Sequence, residues 1–345
     1  MALILRNCRP DGSSKHGFVW DTDIGAVNVA LDWIKNEECG NGLHGWLNGI
    51  GNSSVSGYND SNLWLVLEVD KFVDLGDKVK FRSCIVKFKG TKSECSKYLY
   101  DNGVRGKIIG LSGEFAEAGD LSNLFGSDNS TLTAGDYSTL TAGYKSNLTA
   151  GDYSTLTAGY KSNLTAGDNS TLKAGDYSTL TAGYNSTLTA GYNSTLTAGY
   201  NSTLTAGDYS TLKAGYNSTL TAGDYSTLKA GDNSTLKAGD NSTLTAGDNS
   251  TLKAGDYSTL TAGDNSTLKA GDNSTLTAGD ESNLTAGNES NLTAGDESNL
   301  TAGVGSVIIT RWYDNNKWNV ATFVISESQA NKTFLYSDGK QIKIG

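Results

Sequence analysis

From Ala118 to about Ile309 the chain repeats one polar and apolar pattern, AGxxSxLx, every eight residues. Leucine returns from Leu132 to Leu300 twenty-two times in unbroken register, and Leu124 and Ile308 extend that register by one octad at each end. Side chains alternate across a strand, so in Ser130-Thr131-Leu132-Thr133-Ala134 the residues Ser130, Leu132 and Ala134 share one face while Thr131 and Thr133 share the other. The first set is small and mostly apolar and belongs inside; β-branched threonine suits the outer pleated surface. Glycine in every octad, with abundant Thr, Asn and Ser, opposes a helix. Gly135 is expected to give a corner either a positive φ or a tight backbone, and the Asp, Asn or Tyr residues that follow complete the turn.

One octad therefore predicts a short strand and a corner, and two octads close a flattened sixteen-residue coil with its strands back to back. Successive coils would stack as parallel strands about 4.7–4.9 Å apart. The buried serine needs a hydrogen bond, to the serine of the next coil or to corner backbone. A triangular coil of three octads would open a wider core that Leu, Ala and Ser do not fill. The fold class is mainly β: a flattened parallel β-solenoid of about twelve coils over 118–309, preceded by a small α+β domain and closed by a β-hairpin cap.

The flanks break the period. Residues 1–105 read as the α+β domain, with strands at Leu3-Ile4-Leu5, Gly17-Phe18-Val19-Trp20, Leu63 to Val69 and Val79 to Phe88. Ala26 to Glu37 has helical apolar spacing, and Thr91 with Glu94 is a capping box opening a second helix through Tyr100. Residues 106–117 form a junction that caps the first coil, since the exposed end of a parallel stack is a sticky edge. In 310–345 one hairpin turns at Asp314-Asn315-Asn316 and a second at Asp338-Gly339. Trp312, Tyr313, Trp318 and Phe323 are expected to form an aromatic lid on the last coil.

Composition narrows the chemistry. The net charge of −10 comes largely from corner aspartates such as Asp136, Asp168 and Asp240, which argues against nucleic acid as a partner. MALILRNCRPDG has too short an apolar run for a signal peptide, and no segment is long enough to span a membrane. Cys8, Cys39, Cys84 and Cys95 read as reduced, mostly packing thiols. Cys39 lies near His44, but no second ligand pair has metal spacing. His16 and His44 are the only histidines and neither adjoins a nucleophile motif, so no enzyme is expected. The aspartate repeat has the wrong period for a calcium-binding solenoid, so no metal or other cofactor is expected.

The repeat AGYxSTLTAGxxSxLTAG, the tail GSVIITRWYDNNKWNV and the amino-terminal segments ALILRNC, GFVW, NGLHGWLNGIG and LWLVLEV together resemble the bacterial ice-nucleation proteins. That likeness covers nearly the whole chain. It implies a β-solenoid that templates ice on rows of Thr-x-Thr, a place on the outer cell surface, and a ladder of one tyrosine per coil. The array is shorter than is usual for the family, and the long Pro/Thr-rich linker is missing. The family's last coils are rich in Arg and Lys and tied to multimerisation; here Glu281, Glu289 and Glu297 stand there, with no Lys or Arg between Lys269 and Arg311.

Stiff, β-branched threonines make a rigid grid of methyls and hydroxyls, about 6.6–6.8 Å apart along a strand and one rung apart between coils. Such a grid can hold surface water in a lattice-like arrangement. On one face of a sixteen-residue coil the uninterrupted pairs are Thr131 with Thr133, Thr179 with Thr181, Thr195 with Thr197, Thr243 with Thr245, Thr259 with Thr261 and Thr275 with Thr277. There Asn147, Asn163 and Asn291 replace the first threonine elsewhere, and Lys213 and Lys229 the second. The opposite face offers Thr139 with Thr141, Thr155 with Thr157, Thr187 with Thr189, Thr203 with Thr205 and Thr219 with Thr221, interrupted by Lys173, Lys237, Lys253 and Lys269. A hydrated ammonium disturbs a flat water grid, so the longest uninterrupted run is read as 187 to 221. Tyr144, Tyr160 and Tyr192 fall on one corner and Tyr184, Tyr200 and Tyr216 on the other; Tyr137, Tyr153, Tyr177, Tyr209, Tyr225 and Tyr257 are shifted by one place. Short stacked ladders are expected at both corners. The partners read from these features are ice or ordered water, and further copies through solenoid edges or terminal domains. The competing reading is a structural rod whose threonines are only soluble β-formers.

Overall fold

Why an octad makes a strand and a corner is visible in the computed structural model. Each Thr-Leu-Thr, Asn-Leu-Thr or Thr-Leu-Lys triplet forms a three-residue strand, its leucine buried and its flanking residues turned outward. Pairing is parallel and advances by sixteen residues, Thr179 opposite Thr195 and Thr187 opposite Thr203. Alternate strands build two fourteen-stranded sheets, so the repeat is a flattened parallel β-solenoid of about twelve coils, as its period predicts. The structure describes residues 1–14, 17–49, 62–76, 78–91, 94–95, 98–99, 102–104, 115–117, 119–126, 128–337 and 340–343. Two compact units divide the chain, Met1–Leu164 and Thr165–Gly345. The division falls inside the repeat, where a coil touches only its neighbours.

The corner works by a different device from a left-handed glycine. Positive φ belongs to the second residue after each glycine: Tyr225 at 55°, Asn233 at 56°, Asn249 at 55°, Glu281 at 54°. Asparagine tolerates that region best, which explains its frequency there. The glycines serve close approach instead. Asp232 Oδ1 accepts the Asp248 N–H of the next coil at 3.1 Å, and a Cβ on Gly247 would stand 1.7 Å from that oxygen. Where tyrosine replaces aspartate, backbone closes the same space: a Cβ on Gly199 would meet Tyr184 N at 2.8 Å.

In the first unit, β1 (Ala2–Cys8), β2 (Val27–Val29), β3 (Leu43–Leu47), β4 (Leu63–Val69), β5 (Phe72–Asp74), β6 (Val79–Phe81) and β7 (Ser83–Gly90) form one sheet in the order β2-β7-β4-β1-β3-β6-β5. Neighbouring strands run antiparallel. Apolar clusters cover both faces, around Leu65, Leu67 and Phe81 on one and Trp46, Trp64 and Val66 on the other. One of the two expected helices is corrected. Residues 26–37 are not a helix: Val27–Val29 adds a strand to β7, and the buried Asn28 side chain clasps Asp21 backbone, accepting its N–H and donating to its C=O, both at 2.9 Å. Those long-range bonds override local spacing, and leave Leu31 wholly exposed and Ile34 half-exposed. The segment at Gly17–Trp20 contributes only a bridge between Val19 and Ser13, and 79–88 is two strands rather than one. The capping box forms, Thr91 N–H donating to Glu94 Oε2 at 2.8 Å and Glu94 N–H to Thr91 Oγ1 at 3.3 Å, ahead of helical turns at 94–95 and 98–99. Of the junction, Phe115–Glu117 pairs with Thr131–Thr133 as expected of a cap. His16, Tyr100, Ala118, most of the junction and the Asp338-Gly339 turn lie outside the described residues.

At the other end, Val307–Asp314 continues one sheet in parallel beside Asn291–Ala294 and folds back antiparallel onto Lys317–Val324. Asn315 and Asn316 supply the two positive φ angles of the tight loop, 50° and 61°. Phe334–Ser337 pairs with Ser298–Thr301 and with Lys340–Lys343. The buried lid is Ile325, Phe334 and Tyr336, with Phe323 packed 5.0 Å from Tyr336. Tyr313 and Trp318, expected there, are exposed, because the hairpin carries them past the last coil.

Gly247→Ala should cost on the order of 3 kcal/mol, through the clash or the loss of the Asp232 hydrogen bond. In an Asp232→Ala background the same change should cost markedly less; equal costs in a denaturation double-mutant cycle would refute the corner assignment.

Candidate functional site

The outward strand positions line up in rows along both sheets. On one sheet Thr243, Thr259 and Thr275 are successive Cα partners, as are Thr245, Thr261 and Thr277. On the same sheet Thr179 pairs with Thr195, and Thr181 with Thr197. On the other sheet Thr187, Thr203 and Thr219 stand in register, with Thr189, Thr205 and Thr221 beside them. In the first unit Thr139 pairs with Thr155 and Thr141 with Thr157, while Thr131 pairs with Asn147 and Thr133 with Thr149. The two faces point in opposite directions, so the candidate residues make several patches rather than one. The run Thr243–Thr277 equals Thr187–Thr221 at three rungs each, which corrects the reading of 187 to 221 as the longest.

Exposure within a pair is unequal, which corrects the expectation of a uniform outward grid. The first threonine is exposed in every candidate pair except those at Thr131 and Thr139, which are partly buried. The second threonine is exposed at Thr181, Thr205 and Thr261, whose row partners carry no lysine. Thr277 is only partly exposed although its row partners are Thr261 and Thr293. Three others, Thr141, Thr157 and Thr197, are also only partly exposed. A bulkier residue stands next to each of these in its row: Phe125 beside Thr141 and Lys213 beside Thr197, and Lys173 sixteen residues on from Thr157. Thr189, Thr221 and Thr245, beside Lys173, Lys237 and Lys229, are screened in the same way. A lysine stem laid along the sheet covers its neighbour as well as taking its own place out of the grid. Lys213 therefore ends the patch of Thr181 and Thr197 at two rungs.

Interruptions are ordered too. Lys213 pairs with Lys229, and Lys237, Lys253 and Lys269 pair in sequence on the reverse of the coils that carry Thr243–Thr277. That second threonine patch is thus backed rung for rung by lysines. Where asparagines take the first position on successive rungs they bond along the row: Asn163 Nδ2 donates to Asn147 Oδ1 at 2.9 Å and Asn299 Nδ2 to Asn283 Oδ1 at 3.1 Å.

What keeps the rows in step lies on the inner side of the strand. Ser226 N–H donates to Ser242 Oγ of the next coil at 3.2 Å, and Ser242 Oγ–H donates to Asp240 C=O at 3.0 Å. The same pattern repeats at Ser234, Ser250 and Ser266. These serines are buried beside leucines that have no solvent exposure. Both partners expected for the serine are therefore used at once. Corner backbone joins in, Tyr225 N–H donating to Asp240 C=O at 2.9 Å.

The corners carry the tyrosines. Tyr184, Tyr200 and Tyr216 stack with ring centroids 5.0 and 4.9 Å apart. On the other edge Tyr177, Tyr192, Tyr209 and Tyr225 form one run, the last pair stacked at 4.8 Å and the others tilted or edge-on at 5.5 and 5.4 Å. The residues shifted by one place thus join the ladder instead of breaking it. Corner aspartate Oδ1 atoms are occupied by backbone N–H groups, which gives the aspartate repeat a structural use. In the amino-terminal domain Cys8, Cys84 and Cys95 are buried, and burial pushes their thiols up to about 11, 12 and 12. Cys39 is exposed, so three of the four cysteines pack inside, in line with the expectation of mostly packing thiols. Burial, then Lys78, Arg6 and Lys80, lower the His44 imidazole to about 4. Among the described residues no helix is long and apolar enough to cross a membrane.

No family model, curated protein or solved structure matches the chain.

Ser242→Ala leaves the buried Ser226 N–H unsatisfied and should cost roughly 1–3 kcal/mol. Thr203→Val, on the outer face, should stay within about 0.5 kcal/mol of the parent. Equal losses in thermal denaturation would mean the inner and outer roles are misassigned.

Proposed function

We propose that the chain binds ice and, where its threonine runs are long enough, nucleates it. The observation that carries this reading is the register of outward Thr-x-Thr pairs, fixed rung to rung by backbone pairing. Each pair offers two methyls and two hydroxyls on a stiff χ1, about 6.6–6.8 Å apart along the strand and 4.7–4.9 Å between rungs. Ordered water gains hydrogen bonds from the hydroxyls while the methyls hold it in place, so water placed on the grid starts closer to a lattice. No cofactor and no reaction enter this account. A position on the outer cell surface belongs to the same proposal and rests on the family resemblance alone.

A second reading, a structural rod without ice activity, is favoured by the exposed aromatic hairpin at the carboxyl end, a feature that ice binding does not require. Negative-stain microscopy for filaments separates it from the first.

Thr187, Thr203 and Thr219→Lys on one face, or Thr243, Thr259 and Thr275→Lys on the other, should lower droplet freezing temperature and weaken ice-crystal shaping with little change in stability. A variant altered on both faces that froze water like the parent would refute the assignment. The converse variant is the sharper one. Lys213→Thr with Lys229→Thr joins two runs into a single row from Thr179 to Thr277 and uncovers Thr197 and Thr245. Droplets containing it should freeze at a higher temperature than those of the parent. An unchanged freezing curve would show that row length is not what matters.

A further inference from the structure

The strand Lys317–Val324 is the last of its sheet, and among the described residues no strand pairs with its outer edge. Asp314 and Lys317 flank the two-residue loop as a hydrogen-bonded pair, and pairing then alternates without a bulge to Val307 and Val324. The backbone N–H and C=O groups of Trp318, Val320, Thr322 and Val324 therefore point away from the hairpin, toward the open edge. The same four side chains share one exposed face, with Trp318 70%, Val320 60% and Val324 67% exposed. Proteins blunt such an edge with proline, a bulge, an inward charge or a very short strand. This one has eight residues, no proline and no bulge, and its one charged residue, Lys317, stands at its first position.

We propose that this edge pairs antiparallel with the same strand of a second copy across a two-fold axis. The register is fixed by the outward groups. Centred on Ala321, Trp318 meets Val324 of the second copy and Val320 meets Thr322, so all four outward positions are used on both strands. A slip by two residues would strand Trp318 beside Ser326. The charges agree with the centred register: it sets Lys317 against Ile325 of the second copy, two residues short of Glu327, so an exposed lysine and an exposed glutamate share the neighbourhood of each end. The contact is self-complementary, as a two-fold interface must be. With eight residues per copy its total area falls below about 1,200 Å², so association is weak and concentration-dependent.

The consequence for the threonine rows rests on the proposed function. Asn291 pairs with Val307 and Thr293 with Ile309, and these in turn lie beside Val324 and Thr322. Pairing would then continue the sheet that carries Thr243–Thr277 into the same sheet of a second molecule, and two short templates would share one surface.

Sedimentation of the full chain over a range of concentrations tests the pairing directly. A monomer–dimer equilibrium is expected. Val320→Pro removes an outward N–H while leaving the hairpin's own bonds in place, and should be monomeric throughout with unchanged thermal unfolding. Val320→Lys, which keeps the backbone, should behave the same and guards against a misfolded cap. A parent chain that stays monomeric at its highest soluble concentration, or variants that dimerise as it does, would overturn the proposal. A dimer that neither binds nor nucleates ice would leave the pairing standing and contradict the proposed function instead.

Discussion

Everything outward in this protein depends on the bond between one coil and the next. A three-residue strand is far too short to hold its place by itself, and its core offers one leucine, one alanine and one serine. The serine is what closes the structure. Its oxygen accepts a backbone N–H from the preceding coil while its hydrogen goes to a corner carbonyl, so a polar group inside a thin core becomes a connection instead of a cost. The corner aspartate does the same at the edge, reaching over a glycine to the next backbone N–H. With inner, strand and corner groups all paired to the adjacent coil, a slip by one residue would break every one of them.

That constraint separates two kinds of position. Leu, Ala, Ser and Gly have no freedom, which is why the leucine period never breaks over twenty-two octads. The outward pair takes no part in those bonds and the two corner positions admit alternatives, and there the sequence does vary: Thr against Asn or Lys, Asp against Tyr, Asn against Tyr, Lys or Glu. Variation at free positions is where function is written. The grouping of Lys237, Lys253 and Lys269 behind the Thr243–Thr277 run marks one face from the other in those coils.

The period of eight was enough to read the strand, the inward serine, the sixteen-residue coil and the hairpin at Asn315-Asn316, because each follows from local alternation or turn chemistry. Three features of the fold were not legible. The reason for glycine lies in an oxygen on the neighbouring coil, as at Asp232 and Gly247, and no local rule reveals it. Residues 26–37 carried a helical spacing that Asn28 overrides by bonding Asp21. The aromatic lid was assigned to Trp312, Tyr313, Trp318 and Phe323; of these Phe323 packs on Tyr336, while Tyr313 and Trp318 are exposed and Phe334 and Tyr336 fill the lid by pairing with Ser298–Thr301. Of the site, the outward placement of the threonines on two sheets was readable. The equal length of the second threonine run, and the screening of Thr141, Thr157 and Thr197 by larger neighbours, emerged only when partners were followed rung by rung.

The claim that these rows organise water can be tested most directly by growing ice slowly from a solution of labelled full-length protein beside an inert globular control. The protein should enter the ice and concentrate there while the control is excluded. If both are pushed into the liquid alike, the rows do not recognise ice, and the solenoid is a scaffold for something else.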